Sequence, residues 1–203
     1  ANPGGLPVNI PNPGVPIAAV AERELKGGVY FVLNAPKPRG KEAELRLFVD
    51  SDHAAEQKTR RSRTGYFIFM NNAPIVWFSK KQGTIESSVF GAEFVAMNAG
   101  LERMRGIRYK LRMMGIPIEG PSYFYGDNMS VIHNTSKPES VLKKKSNSIC
   151  YHAIRESVAM GESICAHIPT ELNCADIATK IIGGGRKRDG LVSQVLYDFG
   201  PKQ

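Results

Sequence analysis

Four carboxylates in this 203-residue chain stand at the ends of predicted secondary-structure elements. Asp50 closes the apolar segment LRLFVD, and Asp127 closes the segment SYFYGD. Glu93 lies one turn into a long amphipathic segment, whereas Asp176 begins a short helical one. Taken singly, each acid could be an ordinary turn or helix-capping residue. Taken together, they could hold divalent cations such as Mg²⁺ or Mn²⁺, because oxygen ligands suit these ions and their charge offsets repulsion among carboxylates.

The order of predicted elements indicates where two of these acids meet. Apolar, β-rich runs predict strands at residues 45–50, 63–70, 75–81, 121–127 and 163–169. A polar NNAP turn makes a hairpin of the second and third strands, while helices connect the later strands, which we therefore expect to be parallel. If the first and fourth strands are parallel neighbours, Asp50 and Asp127 lie side by side at their carboxyl ends. Asp52 would join them as an accessory if the first strand continues.

A long helix is predicted between the third and fourth strands. Its apolar residues recur at helical spacing, with Ser87 or Ser88 as the N-cap and Gly115 and Pro117 at its end. Shorter helices are predicted before and after the fifth strand. The sequence therefore predicts an α/β domain with a five-stranded mixed sheet, in which three antiparallel strands precede the parallel ones.

The ends of the chain differ in composition from its middle. Pro and Gly are dense in the first 17 residues and recur just before residue 41. We expect residues 1–40 to be a linker or connection segment, residues 41–182 to be the compact domain, and residues 183–203 to be a basic extension with a short helix. Because the chain begins at Ala1 rather than Met, we expect a processed or excised piece of a longer protein.

Positive charge is concentrated in short clusters. Lys and Arg total 27 against 19 Asp and Glu, which gives a net charge of +8. The clusters lie around residues 58–63, 80–81, 143–145 and 186–188. Any one of them could be a solvated loop, but several together favour a polyanionic partner such as nucleic acid. No stretch approaches the roughly 18 apolar residues that cross a bilayer, so we expect no membrane partner.

The cysteines give a weaker indication of a metal. Cys150, Cys165 and Cys174 are odd in number and widely spaced, which favours a reducing compartment over a disulfide framework. The tripeptides CYH and CAH leave a zinc site open as an alternative, although the chain has no C-x-x-C pair.

Several ordered motifs carry a family resemblance. The segments FVDSDHA, TRRSRTGYFIF, SSVFGAEFVAM, YGDNMSVI and NCADIATK, within residues 45–181, resemble the ribonuclease H domain of a copia-type (Pseudoviridae-like) LTR retrotransposon polyprotein. The resemblance implies the ribonuclease H-like fold, a five-stranded mixed sheet flanked by helices. It also implies that residues 1–40 correspond to the connection that follows the reverse transcriptase.

The resemblance also implies an activity. It is the endonucleolytic hydrolysis of the RNA strand of an RNA/DNA hybrid during reverse transcription, with two Mg²⁺ ions as cofactors and Mn²⁺ as a substitute. By motif position, Asp50 would bridge both ions, Glu93 and Asp127 would complete one ion site, and Asp176 would complete the other. The implied partners are the hybrid and the reverse transcriptase portion of the same polyprotein. The implied location is intracellular, in cytoplasmic virus-like particles, with the nucleus as an alternative.

Residues that contact the hybrid are expected beside the acids. Asn128 and the hydroxyls of Ser87 and Ser88 are candidates for contact with the RNA 2′-hydroxyl, which distinguishes RNA from DNA. Lys80, Lys81 and Gln82 are candidates for phosphate contacts. The alternative is that these residues are ordinary helix caps and solvated side chains.

The sequence departs from the family pattern near the last acid. Relatives carry a loop histidine there, whereas this chain has Glu171 or no equivalent, and His167 lies on the predicted fifth strand. This difference keeps open a second hypothesis: a catalytically weak module of the same fold that binds nucleic acid or serves assembly. Another nuclease or transposase-like phosphoryl transferase of this fold is a third possibility, but the AEF and ADIATK contexts argue against it.

Overall fold

A computed structural model describes residues 40–137 and 148–196. Its centre is a five-stranded sheet in the order β3-β2-β1-β4-β5. The strands are β1 (Leu45–Asp52), β2 (Arg63–Met70), β3 (Ala73–Lys81), β4 (Ser122–Gly126) and β5 (Ser163–His167). The β1–β2 and β2–β3 pairs are antiparallel, and the β1–β4 and β4–β5 pairs are parallel. The predicted mixed sheet is confirmed, with β1 extending two residues beyond Asp50.

Helices cover both faces of this sheet. They are α1 (Val89–Met113), α2 (Met129–Ser136), α3 (Ser148–Ala159), α4 (Asp176–Thr179) and α5 (Arg186–Val195), and a 3₁₀ turn (Thr170–Leu172) precedes α4. Ser88 is the N-cap of α1, since its side chain accepts a hydrogen bond from the backbone amide of Gly91. After α1, Gly115 has a φ of 75°, which is the left-handed conformation that commonly ends helices.

The main core lies between the sheet and α1. Alternate β1 residues Leu45, Leu47 and Val49 are almost wholly buried there, because side chains of a strand point to opposite faces in turn. Phe94 and Met97 of α1 belong to the same core. The central strand is thereby held against α1, the helix that carries Glu93.

A smaller core covers the opposite face of the sheet. Phe67 and Phe69 of β2 pack there with Cys174, and Ile177 and Ala178 of α4 pack against this group. In addition, α5 packs on the 3₁₀ turn and on α4, with Leu191 fully buried. The short elements after β5 are therefore pressed onto the sheet beside the end of β1.

The expected linker at residues 1–40 falls almost entirely outside the described residues. The short helix expected in the basic extension is α5, which begins before the apolar segment that suggested it. The domain boundaries at residues 41 and 182 stay predictions.

Candidate metal centre

Three of the predicted acids come together at one end of the sheet. Asp50 lies on β1, Asp127 directly follows β4, and Asp176 is the first residue of α4. One carboxylate oxygen from each lies within 4.8 Å of the others. Asp50 and Asp176 are buried, whereas Asp127 is partly exposed. The parallel pairing of β1 and β4 produces this meeting, as the order of elements predicts.

Glu93 faces the same position from α1. It lines a cleft of about 410 Å³ together with Asp50, Asp127 and Asn128. It is only 6% exposed, so its carboxyl group is almost removed from water. Glu93, Asp50 and Asp127 thus line one cleft, and Asp176 joins this group through its carboxylate oxygen near those of Asp50 and Asp127.

The position of Asp176 depends on a buried asparagine. The Asn173 side-chain amide donates to the backbone carbonyl of Val49 at 3.0 Å, and its Oδ1 accepts from the backbone amide of Ala175 at 3.2 Å. Asn173 is fully buried. Because Val49 immediately precedes Asp50, this side chain ties the start of α4 to the end of β1.

Two threonines orient the aspartates. The Thr179 hydroxyl donates to Asp50 Oδ2, and the Thr170 hydroxyl donates to Asp127 Oδ2 at 2.9 Å. His167 also contacts Asp127, since its Nε2 lies 3.1 Å from the Asp127 backbone carbonyl oxygen. Neither threonine was singled out from the sequence. The available signal for Thr179 was its place in the NCADIATK motif, three residues after Asp176 on a helix.

Two lysines neutralise part of this negative charge. Lys180 Nζ lies 2.7 Å from Asp176 Oδ1 and 3.2 Å from Asp50 Oδ2. Lys187 Nζ of α5 lies 2.7 Å from Asp176 Oδ2. Both Asp176 oxygens therefore face ammonium groups. The sequence motif contained Lys180, but nothing local indicated that Lys187 would reach the centre.

Burial and mutual repulsion shift the proton affinity of the acids. Burial raises the pKa of Asp50, while the Thr179 hydrogen bond and the Lys180 ammonium act to lower it. Burial and the charges of Asp50 and Asp127 hold the pKa of Glu93 well above its usual range. Burial alone would lower the pKa of Lys180, but Asp176 and Asp50 outweigh this effect and raise it. The site therefore favours additional positive charge.

The donor set suits a hard divalent cation. All four side chains offer carboxylate oxygens, the ligands that Mg²⁺ and Mn²⁺ prefer. Fully ionised, they carry four negative charges, and the two lysines return two positive charges. Divalent cations would offset the remainder.

Other candidates lie apart from this cluster. Asp52 lines a neighbouring groove, and Glu171 is exposed on the 3₁₀ turn. Within the described residues the metal-ligand groups comprise only Asp50, Asp127 and Asp176, so the cysteines gather no zinc site there.

The predicted nucleic-acid contacts occupy different environments. Asn128 lines the cleft, and its Oδ1 caps α2 by accepting from the backbone amides of Ser130 and Val131. Lys80 is exposed, and Lys81 forms an ion pair with Glu56 at 3.1 Å. Ser87 is exposed just before the Ser88 cap.

Gln82 has a different environment. It is buried, and its amide nitrogen donates to Thr64 Oγ1 at 3.0 Å and to the backbone carbonyl of Ala92 at 2.9 Å. These contacts tie the loop after β3 to α1 and leave the side chain turned away from the surface.

The chain is similar to a segment of much longer known proteins. A retrovirus-related Pol polyprotein from transposon RE1 of Arabidopsis thaliana is 30% identical over 142 residues, covering 70% of this chain and 10% of that protein. Its counterpart from transposon TNT 1-94 of Nicotiana tabacum is 28% identical over 143 residues, with 70% and 11% covered. The chain thus matches about a tenth of the length of these relatives. No family model matches it.

Solved structures share the fold. LC11-RNase H1, isolated from compost by a metagenomic approach, has a TM-score of 0.53 at 16% identity, covering 67% of this chain and 92% of that one. RNase H1 from the archaeon Halobacterium salinarum NRC-1 has a TM-score of 0.51 at 13% identity, covering 75% and 99%. Across residues 40–137 and 148–196, no helix is both long and apolar enough to cross a membrane.

The sequence relatives and the shared fold lead to one conclusion. The chain carries a ribonuclease H-fold domain and belongs with the retrovirus-related Pol polyproteins of copia-type retrotransposons, as its motifs indicate.

Proposed function

We propose that this chain is a metal-dependent ribonuclease H that hydrolyses the RNA strand of an RNA/DNA hybrid. The observation that carries the proposal is the convergence of Asp50, Asp127 and Asp176 within 4.8 Å, with buried Glu93 facing them. A similar structure, that of LC11-RNase H1, was determined in complex with an RNA/DNA hybrid. The relatives are retrovirus-related Pol polyproteins, and the family resemblance of the motifs implies degradation of the RNA strand of hybrids during reverse transcription.

Each residue of the centre has a role in this proposal. Asp50, Glu93, Asp127 and Asp176 would hold two Mg²⁺ ions, with Asp50 shared between them. Bound divalent ions would supply an activated water and stabilise the leaving oxygen of the phosphodiester. Thr179 and Thr170 keep two of the carboxylates in fixed orientations through the hydrogen bonds described above. Lys180 and Lys187 limit the repulsion among the acids before the substrate arrives.

Discrimination of RNA from DNA is assigned to residues at the rim of the cleft. Asn128 uses its Oδ1 to cap α2, which leaves its amide donors for an RNA 2′-hydroxyl. Ser88 caps α1 and Ser87 directly precedes it, and both are proposed to make similar contacts. Lys80 and Lys81 are proposed to contact phosphates. Gln82 is assigned a supporting role in the loop because its amide is committed within the fold.

The setting of the domain is also part of the proposal. Residues 41–182 would be the ribonuclease H domain, residues 1–40 its connection to a reverse transcriptase, and residues 183–203 a basic extension. The chain would act inside the cell as part of a Pol polyprotein, in cytoplasmic particles. The hybrid and the reverse transcriptase would be its partners.

The direct test is cleavage of a hybrid labelled on its RNA strand. We expect cutting with Mg²⁺ or Mn²⁺, none with a chelator, and none of a DNA duplex of the same sequence. Asp50→Asn should abolish cutting while hybrid binding stays equal or tightens, because a negative charge near phosphate is removed and the side-chain shape is kept. Asp189→Asn is the matched control, because Asp189 is exposed on α5.

Two results would contradict the proposal. Full cleavage by Asp50→Asn would show that the reaction does not depend on the acid cluster. Absence of cleavage by the unaltered chain, with hybrid binding intact, would favour the alternative of a binding or assembly module on the same fold.

A further inference from the structure

A second concave surface lies beside the metal centre. It is a groove of about 670 Å³ between the loop at residues 53–62, the ends of β2 and β3 that meet there, and the C-terminal end of α4. Its cationic lining residues are Arg61, Arg63, Lys81 and Lys180, against the acidic Asp52 and Glu56. We call it the basic groove. Its volume lies within the range of pockets that hold small organic ligands, so it exceeds the needs of a single ion.

The basic groove adjoins the metal centre without being part of it. Lys180 lines both the groove and the cleft, with its ammonium group on Asp50 and Asp176. Thr179, whose hydroxyl donates to Asp50, also lines the groove. A polynucleotide strand held at the cleft could therefore continue into the groove without a gap.

The groove cations are available to an anionic ligand. Lys81 pairs with Glu56 at 3.1 Å, but both side chains are about 40% exposed, and exposed pairs of this kind contribute little stability. Arg63 donates one hydrogen bond to Ser79 Oγ at 3.2 Å, which leaves its other guanidinium N–H groups. Phosphate groups could replace Glu56 and Ser79 as the partners of these cations at a small cost in free energy.

An exposed aromatic side chain extends the groove along β3. Trp77, Ser79 and Lys81 are spaced two residues apart along β3, so their side chains point to the same face of the sheet. Ser79 and Lys81 line the groove. Trp77 is 70% exposed and lies about 7 Å from Ser79, two residues along an extended strand. It pairs in register with Phe67, which packs in the smaller core with α4. A flat apolar ring thus lies at the edge of a row of cations.

We propose that the basic groove and Trp77 bind a single-stranded stretch of nucleic acid that continues from the hybrid at the metal centre. Arg61, Arg63 and Lys81 bind successive phosphates, and one unpaired base stacks on Trp77. Cations beside an aromatic platform are the combination that recognises single strands, because only an unpaired base can present its face to a ring. The inference rests on the proposed function only in that the bound strand is continuous with the hybrid substrate.

The test compares two hybrids in a chelator, so that binding is measured without cleavage. One hybrid is blunt, and the other carries a single-stranded extension of about six nucleotides, a length within the usual site size. Trp77 is the only tryptophan of the chain, so its fluorescence reports directly on this surface. We expect the extended hybrid to bind more tightly and to quench that fluorescence, while the blunt hybrid leaves it unchanged.

Variants separate stacking from charge. Trp77→Ala should lose about tenfold in affinity for the extended hybrid, whereas Trp77→Phe should keep most of it because a ring remains. Arg61→Ala with Arg63→Ala should lower the slope of log affinity against log salt by about 0.7 for each phosphate contact removed. The controls are Tyr109→Ala and Lys110→Ala, an exposed aromatic and an exposed cation on α1 that lie outside the groove.

The proposal is overturned if the extension adds no affinity, or if the groove variants behave as the α1 controls do. It is also overturned if Trp77→Ala leaves nucleic-acid binding intact and instead weakens association with a reverse transcriptase, since the surface would then be a protein interface. Cleavage of the blunt hybrid with Mg²⁺ tests the proposed function separately. A chain that fails to cut but still prefers the extended hybrid would contradict that function and support the groove.

Discussion

Gly65 allows α4 to approach the sheet closely enough to complete the metal centre. It pairs with Asp50 across β1 and β2 and lies under α4. A Cβ atom at this position would lie 2.5 Å from Thr179 Cγ2 and 2.8 Å from Ala178 Cβ. Carbon atoms pack at about 3.5–4.0 Å, so Gly65→Ala must move α4 away by about 1 Å. The obstructing atoms belong to short side chains that cannot turn aside.

The displacement should affect stability and chemistry together. Overpacking of this kind costs about 1–3 kcal/mol, which corresponds to a fall in Tm of about 2–12 °C for a chain of this size. Because α4 carries Asp176 and Thr179, the same movement pulls one carboxylate from the cluster and weakens the hydrogen bond to Asp50. Misplacement by about 1 Å at a reacting centre lowers rates by about 100-fold.

The assay measures Tm, Mn²⁺ affinity and hybrid cleavage for Gly65→Ala beside Gly83→Ala. Gly83 is the matched control, since nothing lies within 4 Å of a Cβ added there. We expect Gly65→Ala to lower the Tm, the Mn²⁺ affinity and the rate of hybrid cleavage, and Gly83→Ala to leave all three unchanged. If both variants keep the Tm and cleavage rate of the unaltered chain, the close packing of α4 on β2 is not what positions the centre.

Two further predictions concern the charges of the site. In a chelator, Glu93→Gln should flatten the dependence of stability on pH. Because the pKa of Glu93 is raised in the folded protein, the protein's free energy of unfolding falls as the pH rises from 4.5, the ordinary pKa, to the raised pKa. The fall is about 1.4 kcal/mol for each unit by which the pKa is raised, and the free energy then levels off. Parallel Tm curves for the two proteins between pH 4.5 and neutrality would contradict this reasoning. Lys187→Ala should raise Mn²⁺ affinity a few-fold in calorimetry, because a half-exposed ammonium no longer competes for Asp176 Oδ2. Arg188→Ala, on the same helix and paired only with Asp189 among the described residues, should bind Mn²⁺ as the unaltered chain does.

The sequence predicted the parts of the molecule that depend on local patterns. An apolar run identified β1, although the strand continues two residues beyond the predicted end at Asp50, and turn residues identified the hairpin of β2 and β3. Helical spacing with a serine cap identified α1 and placed Glu93 in its first turns. The rule that crossover connections join parallel strands then brought Asp50 and Asp127 together. The individual elements follow from backbone geometry, which a short window of sequence already expresses, and the order of the elements then indicates which strands are parallel neighbours.

Tertiary structure decided which side chains support or surround the acids. The Thr170 hydrogen bond to Asp127 and the Lys187 contact with Asp176 join residues from separate elements, and no periodicity predicts such pairs. Gln82 resembled a surface residue within a basic segment but is buried against α1. The basic groove likewise combines three distant parts of the chain. Contacts of this kind depend on how closely the helices, α1 as well as α4 and α5, pack onto the sheet, a distance that arises only when the whole domain has folded.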